Sequence, residues 1–230
     1  MNKDSKFIQC IVACVPMYSE SQHTSELVNQ LLYNEVARVM EERDEWIKVQ
    51  SGIDKYVGWI LKAQTKIINH KVFMEVQSFT NVKRKHDFLM PFGAYMEGTP
   101  DGPQNIDQLL KKAFTFLNAP YLWGGKTIFG IDCSGYTQVL FRIVGVSLPR
   151  DASMQVEHGE VIPFEERQKG DVAFFKNDQG KVTHVGVLIS EESIIHASGT
   201  VRIDGINENG IWNSDLGKQT HEYHVIKRML

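Results

Sequence analysis

From Asp132 onward the hydrophobic pattern changes period once and does not change back, and this restricts the folds open to the chain. Tyr136, Val139, Leu140, Ile143 and Val144 recur at the helical i, i+3, i+4, i+7, i+8 spacing. After the turn-like Leu148-Pro149-Arg150-Asp151-Ala152-Ser153, the remainder is strand-like: DVAFFK, KVTHVGVLIS, SIIHASG and a last segment around HEYHVIKRM. Upstream, Ile106, Leu109, Leu110, Ala113, Phe114 and Leu117 predict a helix over residues 106–118, which Pro120 stops. Helices followed by a run of antiparallel strands make an α+β layout.

The start of the second helix carries chemistry. Asp132 is a good N-cap residue and places Cys133 in the first turn, where unpaired N–H groups and the helix dipole favour an anion. A free thiol has a pKa of about 8.5 and needs such help to act as a nucleophile at neutral pH. Gly124, Gly125 and Gly130 make the preceding segment a tight loop that brings backbone close to whatever occupies the site. A buried structural cysteine is the competing reading of the position alone.

The 230 residues suffice for one large domain or for a small one plus a medium one. A net charge of −3 with mixed signs offers no basic stripe for nucleic acid. The short run Lys83-Arg84-Lys85-His86 reads as a solvated loop. Three cysteines make no disulfide framework. Cys10 and Cys14 share the strand-like FIQCIVACV, where they would stand about 13 Å apart as buried thiols. No stretch is long and apolar enough to span a bilayer. Lys3 and Lys6 precede a short apolar run, and Ile11-Val12-Ala13-Cys14 resembles a bacterial lipoprotein cleavage box. Gln9 interrupts that run, which reads instead as a first strand.

Residues 7–60 alternate strand-like segments with polar turns: FIQCIVACV, EVARVM, EWIKVQ and KYVGWIL. Residues 61–103 form a connector or a degenerate second barrel; VFMEVQSFT has strand character, and PFGAYMEGTPDGP reads as a linker.

A cysteine nucleophile needs a base and a group to orient that base. His23, His70, His86 and His158 lie in polar or loop-like segments without a local signal; His221 and His224 have a spacing that is a weak metal signal, outweighed by an ordinary strand and surface role. His184 and His196 differ, because each lies in an apolar strand, THVGVLI and SIIHA. If these strands form a hairpin with an odd-length connection or a bulge, both histidines face the same side as opposite or diagonal neighbours.

PYLWGG, DCSG, KGDVAFF, HVGVLI and IIHA together, in this order, resemble the NlpC-type bacterial cell-wall cysteine peptidases over residues 104–230. The pairing of Asp44–Val49 with Tyr56–Ile60 is similar to bacterial SH3-like domains and covers residues 1–60. The resemblance implies a papain-like α+β core, helices packed on an antiparallel sheet, preceded by a small all-β SH3-like barrel. It implies Cys133 as nucleophile, His184 as general base and His196 as the orienting residue, with Tyr121 assisting the oxyanion. The combination looks like the subgroup that cuts the γ-D-glutamyl–diamino acid bond of peptidoglycan stem peptides with a free N-terminal L-alanine. There Tyr56, Asp132, Ser134, Asp151 and Ser153 would bind the free amine. Asp132 beside Cys133 opposes thiolate formation unless its charge is directed elsewhere; a substrate ammonium or an N-cap role would each account for it. The expected partners are peptidoglycan-derived peptides, with no cofactor, no metal, no nucleic acid and no obligate protein partner. The expected site of action is the cytoplasm, with export to the periplasm or cell envelope as the alternative. An amidase or acyltransferase of the same fold and an idle wall-binding protein are the rival readings.

Overall fold

The computed structural model describes residues 6–77, 91, 94 and 105–230. The chain divides into two compact units, residues 1–102 with 123–127, and residues 103–122 with 128–230.

The first unit is a seven-stranded antiparallel sheet built from β1 (Phe7–Cys10), β2 (Cys14–Tyr18), β3 (Leu27–Leu32), β4 (Val36–Arg43), β5 (Trp46–Ser51), β6 (Val57–Leu61) and β7 (Thr65–Ile68). The strands run in the order β3-β2-β6-β5-β4-β1-β7. Ile8, Cys10, Val15, Met17, Leu31, Ala37, Ile47, Val49 and Ile60 form its core. The expected pairing of β5 with β6 is present, with Trp46 opposite Leu61 and Lys48 opposite Trp59.

Several local expectations need correction. FIQCIVACV is not one strand; it breaks between Cys10 and Cys14 into β1 and β2, and both thiols are free. Strand β3 is invisible to apolar alternation because Asn29 and Gln30 are buried within it. They are tolerated there because Asn29 donates to Asp54 and Gln30 accepts the Lys126 N–H at 2.7 Å. The sheet continues past residue 60 through β7. The strand-like VFMEVQ belongs to a helix, α1 (His70–Gln77), because Val72, Phe73 and Val76 stand at helical spacing against Val36, Ile53 and Ile68. The KRKH run at 83–86 and most of PFGAYMEGTPDGP lie outside the described residues.

Residues 123–127, which end in β8 (Lys126–Thr127), belong to the first unit. The backbone approach that the glycines permit is therefore to Leu27: a Cβ on Gly124, whose φ is +78°, would fall 2.4 Å from the Leu27 carbonyl oxygen. Lys126 and Glu35 form a fully buried ion pair at 3.5 Å, and Trp123 Nε1 donates to Glu26 at 2.7 Å.

The second unit holds α2 (Ile106–Ala113), β9 (Gly130–Ile131), α3 (Cys133–Ile143), α4 (Ala152–Gln155) and strands β10 (Glu160–Ile162), β11 (Val172–Lys176), β12 (Val182–Leu188), β13 (Ser193–Ser198), β14 (Thr200–Asn207), β15 (Gly210–Asn213) and β16 (Lys218–Arg228). Helix α2 stops at Ala113, short of the expected Asn118, and passes into a 3-10 turn over Phe114–Phe116. The turn-like stretch at 148–153 leads into α4. Strands β11 to β16 pair successively around a ring, β16-β11-β12-β13-β14-β15, and β15 pairs back to β16; β10 is appended at β16. Ala173, Phe175, Leu188, Ile194, Ile206, Ile211 and Ile226, drawn from strands all around the ring, pack into one apolar cluster inside it. Burying each such branched side chain stabilises the fold by about 1.5–3 kcal/mol.

Candidate active site

Cys133 is the first residue of α3, and the Asp132 carboxylate caps that helix by accepting the Gly135 N–H at 2.7 Å. Helix capping is only part of what Asp132 does. Arg150 binds it with two parallel hydrogen bonds, Nη1 to Oδ1 at 2.9 Å and Nη2 to Oδ2 at 2.5 Å, and Arg150 Nη1 also donates to Ser134 Oγ at 2.9 Å. Asp132, Ser134 and Arg150 are all buried. The carboxylate beside the nucleophile thus has an internal counter-charge, in a bidentate geometry that lysine could not supply.

The thiol is buried as well, which the helix-start argument alone did not anticipate. Burial, and next to it the Asp132 charge, push Cys133 up to about 12, against the lowering effect of the Val185 N–H, Arg150 and the Ser134 N–H. Both raising effects favour a neutral resting thiol over a preformed thiolate. Because the Val185 N–H bears on the sulfur, Cys133 faces β12 at the residue that follows His184.

His184 and His196 share one face of the sheet. In the β12–β13 ladder Gly186 stands opposite His196, and Leu188 opposite Ile194, so His184 is the diagonal neighbour of His196. Five residues, 189–193, stand between the last pair, Leu188 and Ile194, the odd number the register requires; Ser193 among them already belongs to β13, and the Ile189 N–H donates to its carbonyl at 2.9 Å. His184 Nε2 and His196 Nδ1 lie 2.8 Å apart in one hydrogen bond. His196 Nε2 in turn donates to Asp204 Oδ2 at 2.9 Å. Arg202 holds that carboxylate from behind, Nε to Oδ2 at 2.7 Å and Nη2 to Oδ1 at 2.8 Å. His184 is held well below the ordinary histidine range by burial, then by His196 and His221. Burial pushes Asp204 up, but the hydrogen bonds from His196 and Arg202 outweigh it and leave the carboxyl below its ordinary value.

Two rings flank His184. His221 stacks on it with centroids 4.0 Å apart and planes 24° off parallel, and Phe175 stands at 5.8 Å. His221 is therefore no ordinary surface histidine; burial and the neighbouring His196 bring it down to about 4.

The remaining predicted residues distribute unevenly. Tyr121 is half-buried and bridges in parallel to Ile131; burial, then Cys133 and Asp132, raise its hydroxyl, so it remains a protonated donor. Asp151 takes the N-cap position of α4, and Ser153 is exposed on that helix. Tyr56 belongs to the first unit, where it packs, partly buried, against the barrel core. Among the described residues no group of His, Cys, Asp or Glu is arranged to hold a metal, and no helix is long and apolar enough to cross a membrane.

Residues 118–220 match the NlpC/P60 family model, and residues 17–64 match the bacterial dipeptidyl-peptidase Sh3 domain. A Bacillus subtilis protein named gamma-D-glutamyl-L-lysine dipeptidyl-peptidase is 36% identical over 213 residues, covering 74% of this chain and 72% of that protein. The chain belongs to the NlpC/P60 family. A Bacillus cereus protein of the same name is 39% identical over 109 residues, which span 45% of this chain but only 33% of its own length. The crystal structure of an NlpC/P60 family protein from Bacillus cereus superimposes with a TM-score of 0.76 at 21% identity, covering 97% of this chain and 99% of that one. The fold is thus the α+β, papain-like core preceded by a small SH3-like barrel.

In this NlpC/P60 domain the residues that sequence reasoning missed are Arg150, Asp204, His221 and Gly186. Arg150 lies inside the PRDAS segment, of which the family resemblance singles out only Asp151 and Ser153. Asp204 had a signal in VRIDGIN, where Arg202 and Asp204 occupy one face of an alternating strand. Gly186 had one too, since an isolated glycine in an apolar strand marks a close approach. His221 had none, because its partner lies on a strand distant in sequence.

Proposed function

We propose that the chain is a cysteine peptidase that hydrolyses the bond between γ-D-glutamate and a diamino acid in peptidoglycan-derived peptides bearing a free N-terminal L-alanine. The observation that carries the chemistry is the hydrogen-bonded series His184–His196–Asp204 running back from the strand that Cys133 faces. The choice of bond draws on the two relatives named gamma-D-glutamyl-L-lysine dipeptidyl-peptidase.

The reaction is an acyl transfer. Because the resting thiol is neutral, His184 Nδ1 takes the Sγ proton as the sulfur attacks the γ-carbonyl of D-glutamate. The Sγ–H bond breaks, an Nδ1–H bond and an Sγ–C bond form, and the carbonyl oxygen becomes an oxyanion. Main-chain N–H groups at the start of α3 and the Tyr121 hydroxyl are the donors proposed for that oxygen. The His184 imidazolium then protonates the leaving amine, and the thioester is hydrolysed by water that His184 activates. Asp132, Ser134, Asp151 and Ser153 are the residues proposed at the L-alanine amine, with Arg150 fixing the first two.

A peptide-release assay on L-Ala-γ-D-Glu-L-Lys and on its diaminopimelate counterpart tests this reading. Release of the dipeptide L-Ala-D-Glu supports it. A polar site built for an ammonium rejects a ligand lacking one by orders of magnitude, so N-acetylation should cut turnover about 10²-fold or more. Equal rates on free and acetylated peptides would remove the amine requirement, and no release from either peptide would sink the peptidase reading itself. The proposed place of action is the cytoplasm, on recycled peptides, and fractionation of cells producing the protein checks it against export to the envelope.

A further inference from the structure

The group at the far end of the histidine series fixes the proton nearest to it and, for a neutral His196, the direction of every other. Asp204 is an ionised carboxylate gripped by Arg202 on both oxygens, and a carboxylate can only accept. The proton in the 2.9 Å contact with His196 must therefore sit on His196 Nε2. A neutral imidazole with its proton on Nε2 carries a lone pair on Nδ1. With His196 neutral, its Nδ1, which faces His184 Nε2 at 2.8 Å, accepts, and the proton of that contact sits on His184 Nε2; a doubly protonated His196 would instead donate from Nδ1. By the same rule His184 Nδ1 is left with a lone pair.

We propose that Asp204 is a positioning residue that sets the tautomers of both histidines and so keeps His184 Nδ1 unprotonated as the base for Cys133. The proposal rests on the peptidase reading for its catalytic meaning, but the tautomer assignment stands without a substrate. The burial of His196 and Asp204 makes the control strict, because no solvent competes for either contact. Arg202 is part of the device. It holds the Asp204 rotamer and, through Nη2, reaches the exposed Asp215 at 2.8 Å, so the buried carboxylate is tied to the surface by one guanidinium. When the thiol proton moves to His184 Nδ1, the new positive charge donates from Nε2 into a series of hydrogen bonds that ends on this anion. The imidazolium is stabilised without any proton leaving His184 for Asp204.

The test is ¹⁵N NMR of the histidine side chains at neutral pH in the wild-type chain, Asp204→Asn, Asp204→Ala, Asp204→Glu and Asp215→Asn. In the wild type, both His184 and His196 should show a protonated Nε2 and an unprotonated Nδ1. A protonated Nδ1 on either ring would overturn the proposal, and this reading needs no variant to fold. In Asp204→Asn and Asp204→Ala the single pattern should give way to mixed tautomers. Over the same variants kcat should fall about 10²-fold or more with KM little changed; the direct wrong-tautomer substitution in a Ser-His-Asp triad costs about 10⁴-fold, and here one more ring intervenes. Asp204→Glu should recover part of both signals. Asp215→Asn, which only strips an exposed carboxylate from the same arginine, should leave tautomers and kcat as they are. Retained tautomers and turnover in Asp204→Ala, or an equal loss in Asp215→Asn, would overturn the assignment. A wild-type chain with the expected tautomers but no peptide hydrolysis would reject the peptidase reading and leave the tautomer control intact.

Discussion

Gly186 lies directly opposite His196 across the β12–β13 ladder, and a Cβ at Gly186 would fall 2.8 Å from the His196 Cβ and 2.8 Å from Ile194 Cδ1. No real pair of side chains is that close, so the glycine is the space in which His196 reaches sideways to His184.

Gly186→Ala should therefore displace His196 while leaving the ring assembled. Overpacking of this kind costs about 1–3 kcal/mol, which lowers the melting temperature without abolishing folding. Activity should fall by more than tenfold, beyond what the stability loss explains. Measuring both on the same preparation separates the two, and undiminished turnover would show that His196 needs no such room.

The Cys133 thiol is pushed up to about 12, and burial does the same to Cys10 and Cys14. Iodoacetamide inactivation of the free enzyme should accelerate steadily from pH 7 to 9 without a plateau. Cys133→Ala and Cys133→Ser should both abolish hydrolysis with an unchanged melting curve. An inactivation plateau below pH 7 would indicate a preformed thiolate–imidazolium pair and contradict the neutral resting state.

Arg150 is the charge partner on which the buried Asp132 depends. Arg150→Met removes this bidentate counter-charge, and breaking a buried pair from one side costs about 3–5 kcal/mol. It should also push the thiol higher, since the opposing charge loses its counter-ion. Urea unfolding of Arg150→Met, Asp132→Asn and the double variant checks this; the double variant should be more stable than Arg150→Met alone. Additive losses would mean that the two residues act independently.

His184 and His221 both fall below their ordinary value on folding, so the unfolded chain binds more protons than the folded one as the solution is acidified. Their contribution to stability is complete above about pH 6.5. It is lost as pH falls, for His221 down to about pH 4. Urea midpoints should drop across that window, and His221→Phe, which keeps a ring against His184, should flatten the drop. A pH-independent midpoint between 6.5 and 4 would refute it.

What could be read from the residues alone was local or strongly patterned. The helical period after Asp132 and the polar cap before Cys133 are written within a dozen residues, and both appear in α3. The His184–His196 hairpin was legible because alternation limits two faces to two registers. The end of β14 and strand β15 were not, since Gly205, Asn207, Asn209 and Gly210 break the alternation that starts in VRID with turn residues whose pairing only the ring supplies. The helix α1 shows the opposite failure: eight residues of mixed polarity satisfy a strand pattern and a helix pattern alike. Arg150 escaped because a buried cation is recognised by its partner, and Asp132 sits 18 residues earlier in the chain.

The ring closed by β15 on β16 has a consequence for how such a chain can vary. An open sheet can shift one strand at its margin and keep the rest. A closed ring cannot, because a slip of one residue turns that strand's inner side chains outward and leaves both its neighbours mismatched. The connections at its two rims are where a change of length disturbs the pairing least; within the ring, register shifts occur only as local bulges such as those at Phe175/Lys176 and Ile211/Trp212. The spacing among His184, His196 and Asp204 is inherited from the architecture itself, and recognition of new peptides can be tried at the rims without putting that spacing at risk.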